Sequence, residues 1–175
     1  MTLDEFVERL KPYREKHRLF HGHHPVRRDQ IPMFEQAVGA TFGPELTEFL
    51  LHFSYIVYPG METFGIYSNM MLRSDLVQNA LAIQEIFPWA KGLVPLMDEP
   101  DYEDYLVDKD DWVYALSYDD GSLSETGMKV YDFLLFMLDE ALSFEFDDDE
   151  FANSLPEDTE WKYIAPMPEE DEKQM

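Results

Sequence analysis

Two hydrophobic periods take turns along this chain, and their order constrains the fold more than any other feature. Leu3, Phe6, Val7 and Leu10 recur at helical spacing behind the pair Thr2 and Glu5, which together can satisfy the free N–H groups of a first helical turn. Pro12 is expected to weaken or end that helix, leaving the basic, His-rich stretch 13–26 as an irregular connection or a second short helix. Ile31, Phe34 and Val38 make a second stripe, with Asp29 placed to cap it and Gly39 to stop it in a left-handed turn. Pro44 suits the first position of a third helix whose inner face is Leu46, Phe49, Leu50 and Phe53.

Beyond the Pro59-Gly60 turn the period changes. A strand is expected over 63–68, then a helix opened by Ser74-Asp75 and ended by Pro88. Its apolar positions, Leu76, Val77, Ala80, Leu81, Ile83, Ile86 and Phe87, cover more than half the circumference and predict deep burial. Aromatic and β-branched runs over 93–97, 102–107 and 112–118 read as strands. Asp119-Asp120-Gly121 reads as a hairpin turn, and the returning strand ends near Val130. Tyr131, Leu134, Leu135, Leu138 and Leu142 form the last clear helical stripe. The succession predicts an α+β fold, with an antiparallel or mixed sheet of about four to six strands and helices packed mainly on one side. Residues 1–164 are expected to form one domain, with a motif core at 31–142 behind a helical N-terminal extension, 1–28. Within it, 144–164 should pack loosely with one extra strand at 161–164, and 165–175 is an acidic Pro/Glu tail.

Charge narrows the function. The chain carries 37 acidic residues against 13 Lys and Arg, a formal −24. The excess is segregated: residues 1–36 hold seven basic and six acidic side chains, whereas 98–125 hold eleven acids and one Lys, and 139–175 fourteen acids and two Lys. Such a field repels phosphate and anionic lipid and attracts cations and basic proteins. No nucleic-acid or membrane partner is therefore expected. The 13 Phe and 10 Tyr supply too many core formers for a disordered chain. With no cysteine, disulfides, thiolate metal sites and Cys nucleophiles are excluded. The first residues lack the basic-then-apolar pattern of a signal peptide, and no apolar run approaches a bilayer span. The expectation is a cytoplasmic protein of bacterial style, a monomer or weak homodimer.

The run from Ile31 to Leu51 resembles the N-terminal signature of the SUKH superfamily. Ile31, Phe34, Glu35, Val38 and Gly39 fall on its first half, and Pro44, Leu46 or Thr47, Phe49 and Leu50 on its second. Leu93-Val94-Pro95-Leu96 resembles a later strand of the family, and Tyr131 to Leu138 its closing helix. Two departures mark a divergent branch. His52-Phe53-Ser54-Tyr55 stands where the family usually has Asn-Gly, and Glu103-Asp104-Tyr105-Leu106-Val107 only loosely echoes a further strand motif. The resemblance implies a non-catalytic binding protein: a bacterial immunity protein that neutralises a toxin by stoichiometric binding, or a regulator of the cell-wall type. The charge argument meets it independently, since nuclease toxins must hold phosphates and tend to be basic.

The expected contact surface for such a basic toxin domain is the acidic sheet region. Asp98, Glu99, Asp101, Glu103 and Asp104 open it, and Asp108, Asp110, Asp111, Asp119 and Asp120 continue it. Tyr105 and its aromatic neighbours would serve as anchors of the kind that dominate interface energetics. The bland alternative is a solvated loop with its aromatics turned inward. A calcium loop at Asp108 fails, because Trp112 and Val113 occupy the positions of an acid and the glycine. His17, His21, His23 and His24 are the best metal candidates, with His17 and His21 at helical i, i+4 spacing. Gly22 and Pro25 disrupt a helix there, and four neighbouring basic residues disfavour a cation. Exposed loop histidines are the preferred reading, and His52 reads as structural. No metal or cofactor is expected. No nucleophile elbow, zinc-protease, phosphate-loop or dinucleotide motif is present. Two rivals therefore stand behind the immunity reading: a regulatory interaction module of the same fold and, less favoured, a metal-dependent hydrolase.

Overall fold

A computed structural model describes residues 1–22, 26–66, 75–99, 103–145, 147–154 and 161–164. The Thr2 side chain accepts from the N–H of Glu5 and the Glu5 carboxylate from the N–H of Thr2, starting α1 (Leu3–Arg9). Pro12 does not lie inside that helix. It sits in the first turn of a second one, α2 (Lys11–Lys16), where its missing N–H costs nothing. The stretch expected to be irregular then supplies a strand, β1 (Leu19–Gly22). A 3-10 turn at Arg28–Gln30 leads into α3 (Ile31–Val38), ended by Gly39 at φ 76°. Asp29 is not its cap: it lies inside the 3-10 turn and pairs with Arg27, while Pro32 in the first turn lowers the need for a side-chain acceptor.

α4 (Pro44–Phe53) buries Leu46, Phe49, Leu50 and Phe53, as its spacing requires. β2 (Ile56–Tyr58) and β3 (Met61–Glu62) form a tight hairpin over Pro59-Gly60. The strand expected at 63–68 is thus displaced toward the turn: Thr63 continues the ladder through its side chain, which accepts from the N–H of Ile56, and residues 67 and 68 lie outside the described set. α5 (Leu76–Ile86) is capped by Asp75, whose carboxylate accepts from the N–H of Gln78. Leu76, Val77, Ala80 and Ile83 are buried, but Leu81 and Ile86 face solvent, so the apolar face is narrower than the sequence suggests. A 3-10 turn, Pro88–Ala90, follows.

The second half is a meander: β4 (Val94–Glu99), β5 (Glu103–Val107), β6 (Trp112–Ser117) and β7 (Leu123–Lys129). α6 (Val130–Leu142) starts directly from β7; α7 (Asp148–Ser154), not foreseen, and β8 (Trp161–Ile164), foreseen, complete the described elements. The α+β class holds, and the strands form two antiparallel sheets of four, ordered β3-β2-β1-β8 and β4-β5-β6-β7.

Strand alternation gives the meander two different faces. Val107 and Val113 join the main core with α6, and Tyr105 packs on Phe133 at 4.6 Å between ring centres. Leu106 and Leu116 turn the other way, against Ile83 and Ala90 with Phe87 and Leu93 around them. The sheet is therefore covered by α6 on one face and by the end of α5 on the other. Phe6, Leu10 and Tyr13 belong to the same main core as α4 and α6, with Phe6 stacked on Tyr131 at 4.6 Å.

Candidate functional site

β6 decides which acidic residues can act together. It runs six residues, about 20 Å at strand rise. The Asp108–Asp111 turn lies at one end, and the 118–121 turn and the paired strand ends Glu99 and Glu103 at the other. The acids expected to form one surface fall at opposite ends of a sheet.

At the first end the carboxylates are occupied. Asp108 accepts from the N–H groups of Asp110 and Trp112 and from the Tyr114 hydroxyl. Asp111, left-handed at φ 69° and 2% exposed, turns inward. Its two oxygens accept from the N–H groups of Glu45 (2.9 Å) and Leu46 (3.1 Å), capping α4 from a distant loop. Burial pushes its pKa up, against the pull of those two bonds. Asp111 is thus a folding residue, a correction to its place in the expected contact surface. Asp110 stays exposed and pairs with Lys109. The neighbouring open cleft, about 610 Å³, is lined by Glu35, Gln36, Asp108, Lys109 and Asp110 with Gly39, Ala40, Thr41 and Gly92. It offers no aromatic or large apolar wall of the kind that holds small ligands.

The other end differs. Asp98 lies directly across from Asp104, and Glu99 from Glu103. Asp104 is buried and accepts from the Tyr118 hydroxyl; burial raises its pKa, helped by the charge of Asp98. Asp119 and Asp120 are exposed in a turn closed by Gly121 at φ 67°. Asp120 accepts from Ser122, which holds its pKa below the usual carboxylate range. Glu103 is exposed, whereas Tyr105 points into the α6 face and is not the surface anchor expected. Asp101 lies outside the described residues.

Sequence reasoning missed the aromatic group beside these acids. Phe87 packs between Trp89 (5.7 Å) and Tyr118 (5.6 Å), and the Gly121 turn rests on the Phe87 ring. Ile86 and Trp89 flank it in the open. The one available signal was Ile86-Phe87-Pro88-Trp89, apolar residues continuing past the point where Pro88 must end the helix.

The helical pairing weighed for His17 and His21 does not arise, and His17 is not the exposed loop histidine expected. α2 ends at Lys16 and His21 lies in β1, so His17 and His21 share no helical face. His17 is buried, its Nδ1 2.8 Å from Asp148, and tied edge-on to Tyr58. His21 meets Phe53 edge-on; His23 and His24 lie outside the described residues. His52 packs on Phe53. Among the described residues, no three His, Asp or Glu converge on a possible metal position, and no helix is long and apolar enough to cross a membrane.

A family model of the SUKH superfamily, described as SMI1-KNR4 cell-wall, matches residues 3–139. No curated protein matches the chain.

Proposed function

The chain belongs to the SUKH superfamily, to the family described as SMI1-KNR4 cell-wall, and from that premise we propose that it is a toxin-binding immunity protein. The family is associated with protein–protein interaction, in immunity or cell-wall regulation, and is generally non-catalytic. In this reading the protein binds one basic toxin domain, in the cytoplasm, and holds it inactive without turnover. The observation that carries the proposal is the excess of exposed carboxylate on the meander sheet: Asp98, Glu103, Asp110, Asp119 and Asp120 all keep some or full contact with water. Carboxylates so placed can meet Arg and Lys of a nucleic-acid-binding toxin where its phosphates would otherwise sit.

The regulatory-module reading shares the fold and the mode of action and differs in the partner. The hydrolase reading would draw on the acids of the cleft at Asp108, where Asp108 already takes three hydrogen bonds and Asp110 pairs with Lys109.

Co-expression with the product of the gene immediately upstream tests the proposal. Growth rescue together with a co-purifying 1:1 complex supports immunity. A toxic neighbour that this protein neither binds nor neutralises overturns it, and an upstream product without toxicity favours the regulatory module.

A further inference from the structure

The meander sheet has an apolar patch that nothing in the chain covers among the described residues. Ile86 is 60% exposed, Trp89 49% and Tyr118 38%, and Phe87, next to Ile86 in the chain, joins Trp89 and Tyr118 through ring contacts at 5.7 and 5.6 Å. These side chains come from two separate parts of the chain, the end of α5 with its 3-10 turn and the end of β6. The Gly121 turn closes over the Phe87 ring, so that a Cβ added at Gly121 would stand 3.0 Å from it. The patch is therefore a built surface, not a frayed helix end. Acids adjoin it through Tyr118: its hydroxyl donates to buried Asp104, which faces Asp98 across the ladder, and the exposed Asp119 and Asp120 follow it in the chain.

We propose that this patch is the docking centre for an arginine-bearing segment of a basic protein. Charge complementarity selects that occupant. An aromatic surface with carboxylates beside it suits a guanidinium, which stacks on ring faces while its N–H groups reach carboxylate oxygens, better than an ammonium, a strongly hydrated point charge. A second copy of this chain would bring another formal −24 to the same place. Asp104 is buried and takes the Tyr118 hydroxyl, which holds the ring at the edge of the patch, and the half-exposed Asp98 directly across the ladder from it is left to meet a guanidinium. The opposite end of the sheet has spent its carboxylates on Asp111 capping α4 and on the bonds around Asp108.

The inference rests on the reading of the chain as a binder of basic protein, but its test needs no natural partner. Hexa-arginine and hexalysine peptides are titrated into the full chain by calorimetry, with the Trp indole N–H signals followed by NMR. Hexa-arginine should bind about tenfold more tightly than hexalysine and shift the Trp89 indole. Trp89→Ala, its fold checked by an unchanged melting curve, should erase that preference while leaving the weaker charge-driven binding; Asp119→Lys should weaken hexa-arginine more than Asp110→Lys, an equal charge change at the other end of the sheet. Equal affinities for the two peptides, or an arginine preference that survives Trp89→Ala, would overturn the site while leaving toxin binding elsewhere on the acidic surface intact. A dimer that dissociates on Trp89→Ala would overturn it in favour of self-association.

Discussion

At the scale of the residue, Asp111 has the largest stake in the fold. It reaches from the β5–β6 turn to the N-terminus of α4, and Gly43 makes room for it: a Cβ on Gly43 would stand within 2.2 Å of the Asp111 Oδ1 position. Gly43 lies at φ −68°, so space and not backbone conformation demands glycine. Asp111→Ala should cost about 1–3 kcal/mol in chemical denaturation, from the lost cap and the two N–H groups left without an acceptor. Asp111→Asn, still at ease in the left-handed region, should cost less. Gly43→Ala should cost about 1–3 kcal/mol by crowding the carboxylate. The double variant Gly43→Ala/Asp111→Ala should then cost clearly less than the sum, because the methyl fills space the carboxylate has vacated. Strict additivity would show that the two residues do not share the site. None of this was legible in sequence, where Asp111 is one acid in a run with Asp108 and Asp110; only the fold decides which carboxylate turns inward.

Elements whose ends carry local chemistry were the readable ones. Thr2 with Glu5, Gly39, Pro44 and Asp75 each mark a helix end that the structure places at or beside that residue. The β4–β7 meander was readable too, because its aromatic and branched runs are separated by turns. β1 was not. Leu19-Phe20-His21-Gly22 has a burial pattern without alternation, and it becomes a strand by pairing with β2 on one side and β8 on the other. That state depends on partners far along the chain, so no local window contains it. Its position makes a prediction. Truncation after Ser154 removes β8, including the four register pairs from Leu19↔Ile164 to Gly22↔Trp161, at a cost of about 1–4 kcal/mol. It also turns β1 into an open edge, which invites pairing with another chain. The truncated protein should melt earlier and show added dimer or aggregate in light scattering. An unchanged melting temperature and mass would mean that β8 adds nothing to the sheet. The aromatic patch lies at the same limit of legibility: Trp89 and Tyr118 are visible singly, but their meeting over Phe87 needs α5 and β6 to be placed first.

For the whole molecule, charge that attracts a partner also loads the fold. A formal −24 in 175 residues makes the native state repel itself, and three carboxylates make the burden specific. Asp104, Asp111 and Glu45 all have pKa values raised chiefly by burial. A group whose native pKa exceeds its unfolded value binds its proton more tightly in the native state. Its contribution to stability is complete below the unfolded pKa and is lost as pH rises through the native one. Glu5 and Asp120 shift the other way, but both are fully exposed, and their effect belongs at or below the ordinary carboxylate range. Between neutral pH and that range the raised groups and the falling net charge act in the same direction. The melting temperature should therefore rise as pH falls from about 7.5 to about 5.5 at fixed ionic strength, the reverse of ordinary acid destabilisation. At about pH 7.5 it should also rise with salt, because screening relieves the repulsion between exposed acids. Asp104→Asn should flatten the pH dependence while leaving the salt dependence in place, since it removes one titrating buried group and only one of many charges. A basic partner relieves both burdens at once, so its binding should raise the melting temperature most at low salt and near pH 7.5. A melting temperature that falls steadily with acidification over that window would show that the buried carboxylates are held as stabilising anions instead.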